Sequence, residues 1–278
     1  HMTKAKRAMQ EDLKLIDVVI ELLDARIPVS SRNPDILEIT KNKKRIILLN
    51  KSDLSDAEQN NKWVKYYESK GTPAILVDSN SGKGIDKVSR EINKIMEEDL
   101  KIATQKGRIG KNIRVMILGI PNVGKSSFIN RISKKTSAMV GNKPGVTKQK
   151  QWIRISNNIE LLDTPGVLWP KFESEEVGLN LAYTGSIKDD IIEKTEVAYQ
   201  LLKYLYKHYK NQLLERYKIT DFSEEIEERE TILKLIEEIG NKRGAKVSGG
   251  RVDYEKVANI VLDDFRSGKI GKITLEQQ

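Results

Sequence analysis

Residues 114–126 read Arg114-Val-Met-Ile-Leu118-Gly119-Ile-Pro-Asn122-Val-Gly124-Lys125-Ser126. An apolar, β-prone run enters Gly-x-x-x-x-Gly-Lys-Ser, and residues 125–133 beyond it have helical spacing. Strand, glycine-bearing turn and helix in that order predict a phosphate-binding loop. Its glycines let the backbone wrap an anion closely, so that several N–H groups and the positive end of the helix face the charge. Lys125 is suited to bridge the β- and γ-phosphates of a nucleoside triphosphate, and the Ser126 hydroxyl to take one coordination position on Mg²⁺. Asn122, Val123, Gly124 and Ser127 complete the expected lining. Such a loop alone does not separate ATP from GTP.

Working outward, apolar β-rich runs recur at 18–23, 45–49, 74–77, 113–118 and 159–162, with helical spacing at 56–70, 85–98 and 125–133. This alternation predicts a parallel sheet with crossover helices. A basic, glycine-containing stretch at 104–111 reads as a connector. From Glu175 onward the strands give way to amphipathic helices at 194–217, 224–239 and 253–267. The expectation is an α/β domain with a mainly parallel sheet over residues 1–173, followed by an all-α domain over 174–278.

The chain's 278 residues, 38% hydrophobic and 32% charged, suffice for two cores. No apolar run approaches the roughly 20 residues that span a bilayer, so a soluble protein with no membrane partner is expected. The lack of cysteine excludes disulfides, thiolate metal sites and thiol nucleophiles, and accords with the cytoplasm. A formal charge of +9 makes a polyanionic partner plausible. The excess is local: residues 171–278 hold 18 basic and 21 acidic side chains, which leaves residues 1–170 at +12. It is densest from Arg131 to Arg154, where Lys134, Lys135, Lys143, Lys148 and Lys150 also lie and no acid intervenes. A solvated face is the ordinary reading of such a run, and contact with RNA phosphates the alternative. In the C-terminal part, Leu201-Leu-Lys-Tyr-Leu-Tyr-Lys-His-Tyr-Lys210 interleaves tyrosines with lysines, and Asn241-Lys-Arg-Gly-Ala-Lys246 reads as a compact basic loop. In the first of these, leucines and some tyrosines are expected in the core and the lysines in water.

The base is read elsewhere. Asn50-Lys51-Ser52-Asp53 stands at the end of the apolar run Ile46-Ile-Leu-Leu49. A carboxylate at Asp53 accepts both the N1–H and the exocyclic amine of guanine, whereas adenine offers it a bare lone pair. An unpaired buried polar group costs about 1–3 kcal/mol, so Asp53 selects by rejection as well as attraction. The Lys51 stem would cover one face of the ring, and Asn50 would tie this loop to the phosphate loop. Taken alone, the tetrapeptide is also explained as a helix cap, with Asp53 or Ser55 starting the next helix. After the following strand comes Val77-Asp78-Ser79-Asn80-Ser81-Gly82-Lys83-Gly84. Ser79 and Asn80 there can back guanine with main-chain N–H groups, although a plain glycine-rich turn explains the run nearly as well.

Two further elements face the γ-phosphate. Ile159-Glu-Leu-Leu-Asp163-Thr-Pro-Gly166 offers Asp163 to Mg²⁺ through water and the Gly166 N–H to the phosphate, and Thr147 is a candidate second hydroxyl ligand for the metal. Where many GTPases carry glutamine after that glycine, this chain has Val167, which can neither orient nor polarise water. Slow unaided turnover is expected. Asn122 is a candidate to hold a monovalent cation beside the phosphates, and His1 to orient the attacking water.

GTPases usually run from phosphate loop to switch threonine, Asp-x-x-Gly, Asn-Lys-x-Asp and serine loop. Here the last two come first, a circular permutation. With Asp24-Ala-Arg-Ile-Pro28, Ser31-Arg-Asn-Pro34, Pro144-Gly-Val-Thr147, Asp163-Thr-Pro-Gly-Val-Leu-Trp-Pro170, Gly250-Arg-Val-Asp253 and the run from Asp264 to Leu275, the chain resembles the circularly permuted ribosome-assembly GTPases over nearly its whole length. The resemblance implies a permuted P-loop GTPase domain, GTP and GDP as ligands, and maturation of the large ribosomal subunit. It also implies a helical RNA-contacting C-terminal domain, hydrolysis stimulated by the ribosomal particle, and dependence on K⁺ as well as Mg²⁺. Members begin with a Pro-Gly-His-Met-x-Lys-Ala segment, whose histidine falls on His1. Two other readings stay open: a GTPase switch for a non-ribosomal target, and an RNA-binding scaffold that holds GTP with negligible turnover.

Overall fold

Val18–Asp24 (β1) is buried at every position, which suits a central strand covered on both faces. The computed structural model describes residues 2–135, 151–163, 170–222 and 226–278. It divides into two units, residues 1–171 with 276–278, and residues 172–275. In the first unit β1 lies between Lys44–Asn50 (β2) and Ile113–Leu118 (β4). Ala74–Leu76 (β3) flanks β2, while Ile159–Asp163 (β6) and then Gln151–Ser156 (β5) lie beyond β4. Every pairing is parallel except β5 with β6. The helices are Met2–Leu13 (α1), Pro34–Ile39 (α2), Ala57–Ser69 (α3), Asp86–Ile95 (α4), Glu97–Gln105 (α5) and Lys125–Lys135 (α6).

The five strands expected from apolar runs are present, and β5 is an addition. It pairs on one side only and fully buries Ile155 alone among its residues, so it carries no continuous hydrophobic signal. The helix expected over 85–98 breaks at Met96, a buried residue that ends α4 and precedes α5.

One face of the sheet carries two apolar clusters. Leu13, Ile16, Val19, Ile36, Met116, Leu118 and Leu162 form one; Leu23, Ala25, Ile47, Leu49, Trp63, Tyr67 and Ala74 form the other. Glu21 of β1 shares the side-chain parity of Val19 and Leu23 and is buried as well. Its carboxylate accepts from Arg32 at 2.6 and 2.9 Å and from Arg45 at 2.7 Å. A buried charge survives only with such pairing.

Residues 276–278, expected in the C-terminal domain, belong to the first unit. Glu276 accepts from the Val29 N–H at 2.8 Å and from the Ser30 N–H and hydroxyl at 3.1 and 2.7 Å. Its carbonyl accepts from Trp63 Nε1 at 2.8 Å. Hydrogen bonds to a charged group contribute roughly 1.5–3 kcal/mol, less where water competes. Glu276→Ala is therefore expected to cost about 1–2 kcal/mol and to lower the thermal midpoint of the first unit by about 4 °C. An unchanged midpoint would show that this tail does not brace the Val29–Ser30 turn.

The second unit is helical: Glu175–Tyr183 (α7), Lys194–His208 (α8), Lys210–Tyr217 (α9), Glu228–Arg243 (α10) and Tyr254–Arg266 (α11). Helix α8 packs on α7, α10 and α11 and buries Leu201, Leu202 and Leu205, leaving Lys203 and Lys207 exposed. The continuous helix expected over 194–217 breaks at Tyr209, whose φ is −137°. Its buried hydroxyl accepts from the Thr274 N–H at 3.2 Å, a partner 65 residues away. Of the basic loop expected at 241–246, residues 241–243 are instead the end of α10, closed by Gly244 at φ +65°, and Lys246 beyond it bridges to Val252. Motif residues near the C-terminus do structural work. Asp253 caps α11, Asp264 accepts from the Tyr217 hydroxyl at 2.9 Å, and Arg266 donates to the Ala182 and Tyr183 carbonyls at 2.8 and 3.0 Å at the end of α7. Among the described residues, no helix is long and apolar enough to cross a membrane.

Candidate nucleotide-binding site

Because β1, β2, β3, β4 and β6 run parallel, the loops after their C-terminal ends collect on one edge of the sheet. Asp24 and Asn50 are register partners there, and the turn after β4 begins at Gly119.

Asn50 joins three loops. Its side chain is buried; Nδ2 donates to the Val123 carbonyl at 2.7 Å, while Oδ1 accepts from the Ser79 N–H at 3.2 Å and the Ser79 hydroxyl at 2.9 Å. The guanine-type tetrapeptide, the serine loop and the phosphate loop thus meet on one amide, although 73 residues separate Asn50 from Val123. The fit is close. Gly124 has φ +96°, and a Cβ there would stand 2.4 Å from Asn50 Nδ2; a Cβ on Gly119 would stand 2.7 Å from Val123 Cγ2. Glycine is required for backbone conformation at the first and for space at both.

Lys51 follows in the left-handed region at φ 60°, and Asn122 of the phosphate loop is left-handed too at φ 67°. The Lys51 ammonium donates to the Asn122 carbonyl and lies 3.9 Å from Asp24 Oδ2. Burial pulls the Lys51 pKa down, and Asp24 opposes that pull. Asp24 is fully buried and pairs with Arg26 at 3.0 and 2.7 Å. Burial would raise its carboxyl, but Arg26 and Lys51 hold it below the ordinary range.

Asp53 is exposed and accepts no hydrogen bond from the described residues. The cap it was suited to make is made by Asp56, which accepts from the Glu58 and Gln59 N–H groups. Ser55 is also absent from the cap: its hydroxyl donates to Asn60 Oδ1 at 2.6 Å, and Asn60 in turn donates to the Ser52 carbonyl at 3.1 Å. The Asn50–Asp53 turn is therefore braced from below while the Asp53 carboxylate stays open. Ser52 reaches across to β3's end, donating from N and Oγ to the Val77 carbonyl at 3.2 and 3.0 Å.

In the serine loop the two expected main-chain donors have protein partners. The Ser79 N–H goes to Asn50 and the Asn80 N–H to Asp78 Oδ1 at 3.0 Å. The geometry makes Ser79 an orienter of Asn50. The loop is clamped from α6 by Arg131, which donates to the Ser79 carbonyl at 3.1 Å and to the Asn80 carbonyl. Arg131 belongs to the basic run for which RNA contact is the alternative reading, yet its guanidinium is committed within the fold. Sequence reading missed this clamp and the Asp24–Arg26 pair. The clamp has no local signal, while the pair's only trace is the spacing Asp-x-Arg at a strand end.

On the phosphate side, Ser126 and Ser127 are exposed in the first turn of α6, and Lys125 is half-buried. Ser126 follows β4, and Asp163 closes the adjacent β6. Hydroxyl and carboxylate oxygens suit a hard cation such as Mg²⁺. His1, Thr147 and Gly166 lie outside the described residues.

A sequence family described as "50S ribosome-binding GTPase" matches residues 114–241, from the phosphate-loop strand onward. The chain is 46% identical to ribosome biogenesis GTPase A of Bacillus cereus over 276 residues, covering 99% of this chain and 91% of that protein. It is 34% identical to mitochondrial ribosome-associated GTPase 1 of mouse, covering 100% and 88%. The solved GNP-bound YlqF from T. maritima aligns with TM-score 0.64 at 26% identity, over 99% of this chain and 98% of that one. Guanine-type and phosphate loops held together by Asn50 in permuted order, with kinship spanning the whole chain, lead to one assignment: this GTPase belongs to the ribosome biogenesis GTPase A family.

Proposed function

We propose that this chain hydrolyses GTP as a cytoplasmic factor in late maturation of the large ribosomal subunit, and that the ribosomal particle stimulates the reaction. The observation that carries the reading is the Asn50 junction in a chain whose Asp163-x-x-Gly166 is followed by Val167. The junction assembles a nucleotide pocket, and valine supplies nothing that positions water. Phosphoryl transfer depends on positioning and charge stabilisation, so the missing part comes from outside the pocket.

In this reading Asp53 takes the guanine edge and Lys51 covers the ring. Asn50, Ser52, Ser79 and Asn80 form the frame behind them, and residues 122–127 wrap the phosphates. Ser126 and Thr147 hold Mg²⁺, with Asp163 behind water, and the Gly166 N–H meets the γ-phosphate. Asn122 takes K⁺ and His1 orients the nucleophile. The relatives' names speak for ribosome assembly, and the family description for the 50S particle. The +12 charge of residues 1–170 favours an RNA surface as partner. The helical unit's share of that contact falls to local faces, such as the exposed Lys203 and Lys207, since residues 171–278 are acidic overall.

The test is GTP turnover with and without large ribosomal subunits, in K⁺ and in Na⁺. Stimulation by particles of at least about tenfold, larger in K⁺, is expected. Turnover indifferent to particles would refute the assembly role and leave a switch for another target. No turnover under any condition would leave an RNA-binding scaffold.

A further inference from the structure

Lys51 is held at its far end, and one of the two groups that hold it, Asp24, lies outside the motifs assigned to nucleotide contact. Its ammonium sits between the Asn122 carbonyl and Asp24 Oδ2. Asp24 is itself fixed on every side. Arg26 grips both carboxylate oxygens, the Arg26 N–H adds a bond at 2.9 Å, and the Ser31 hydroxyl accepts from the Asp24 N–H at 3.0 Å. Arg26 is 2% exposed and Asp24 0%. Burying an arginine and an aspartate is a poor way to gain stability, because desolvation offsets most of their attraction. A fixed negative charge beneath a flexible lysine does something a hydrophobic pair cannot: it orders the lysine before ligand arrives.

We propose that the Asp24–Arg26 pair is a positioning element for guanine binding, acting through Lys51. With the ammonium anchored, the aliphatic stem lies ready along the ring's place, and the rotamer freedom of a lysine is surrendered on folding and not on binding. Arg26 keeps Asp24 ionised and aimed; it does not reach the nucleotide. The inference rests on the placement of guanine beside Lys51 proposed above.

A double-mutant cycle tests it, with mant-GDP as probe and thermal midpoint as the check on folding. Asp24→Asn with Arg26→Met removes both charges at similar volume, which avoids stranding a buried ion. It is expected to weaken mant-GDP binding about tenfold, a coupling usual for residues in contact, and to cost nothing further in a Lys51→Met background. Equal losses in both backgrounds, or no loss in either, would overturn the proposal. Should Lys51→Met alone leave affinity unchanged, the placement of guanine fails first, a separate outcome from failure of the cycle. If the double variant melts below assay temperature, the cycle is run with Ser31→Ala. That variant frees the Asp24 N–H without removing charge and is expected to cost about threefold, again only when Lys51 is present.

Discussion

Asp53→Asn is expected to weaken GTP and GDP by about a thousandfold and to admit xanthine nucleotides in their place. An amide at position 53 keeps one acceptor oxygen but sets its NH2 against a guanine donor, so of two charge-assisted bonds one becomes neutral and the other a repulsive contact. Discrimination of this size is what sites built on substrate hydrogen bonds achieve. Xanthine carries a carbonyl at the amine's position and accepts from the new amide. The folded state is indifferent, because Asp53 is exposed, makes no hydrogen bond with the described residues, and leaves capping of α3 to Asp56. Titration with guanosine and xanthosine diphosphates on the same preparation reads the swap, with an unshifted melting midpoint as control. Retained guanine preference would mean that the base lies somewhere other than above the Asn50–Asp53 turn.

Why that turn was legible and its supports were not follows from where the information resides. Phosphate and guanine recognition demand particular residues at strand ends, so Gly119, Gly124, Lys125 and Asn50 to Asp53 stand out beside apolar runs that bury both faces. Arg131 reaches a loop some 50 residues back, and Glu276 a turn 246 residues back. No local periodicity encodes either partner. A run of basic residues looks the same whether its side chains meet solvent, RNA or backbone carbonyls, so sequence alone does not set Arg131 apart from Lys143 and Lys148. Breaks at Met96 and Tyr209 are tertiary in origin as well: neither has a glycine or proline beside it, and both residues are buried.

Permutation is tolerated here because the pocket depends on a junction and not on chain order. Three loops meet on Asn50, each the outflow of a parallel strand. Moving the chain break leaves those outflows on the same edge of the sheet.

The junction also tolerates little change, and Gly124→Ala is expected to lower GDP and GTP affinity by at least about a hundredfold. A left-handed φ at an alanine costs roughly 1–2 kcal/mol. The added Cβ, 2.4 Å from Asn50 Nδ2, then meets an amide that cannot swing away without releasing Val123 and Ser79 together. Losing a buried hydrogen bond adds about 1–3 kcal/mol, and a displaced phosphate loop forfeits N–H contacts to the ligand besides. Gly107→Ala separates strain from clash. Its φ is +80° but nothing lies within 4 Å of the new Cβ, so it bears the conformational cost alone, and nucleotide affinity should not change. The two contributions at Gly124 are further resolved by Asn50→Ala, which removes the obstructing amide. In that background Gly124→Ala should lose most of its effect, since the clash it creates no longer has a partner. Wild-type affinity in Gly124→Ala, or full additivity with Asn50→Ala, would show that the loops do not depend on this contact.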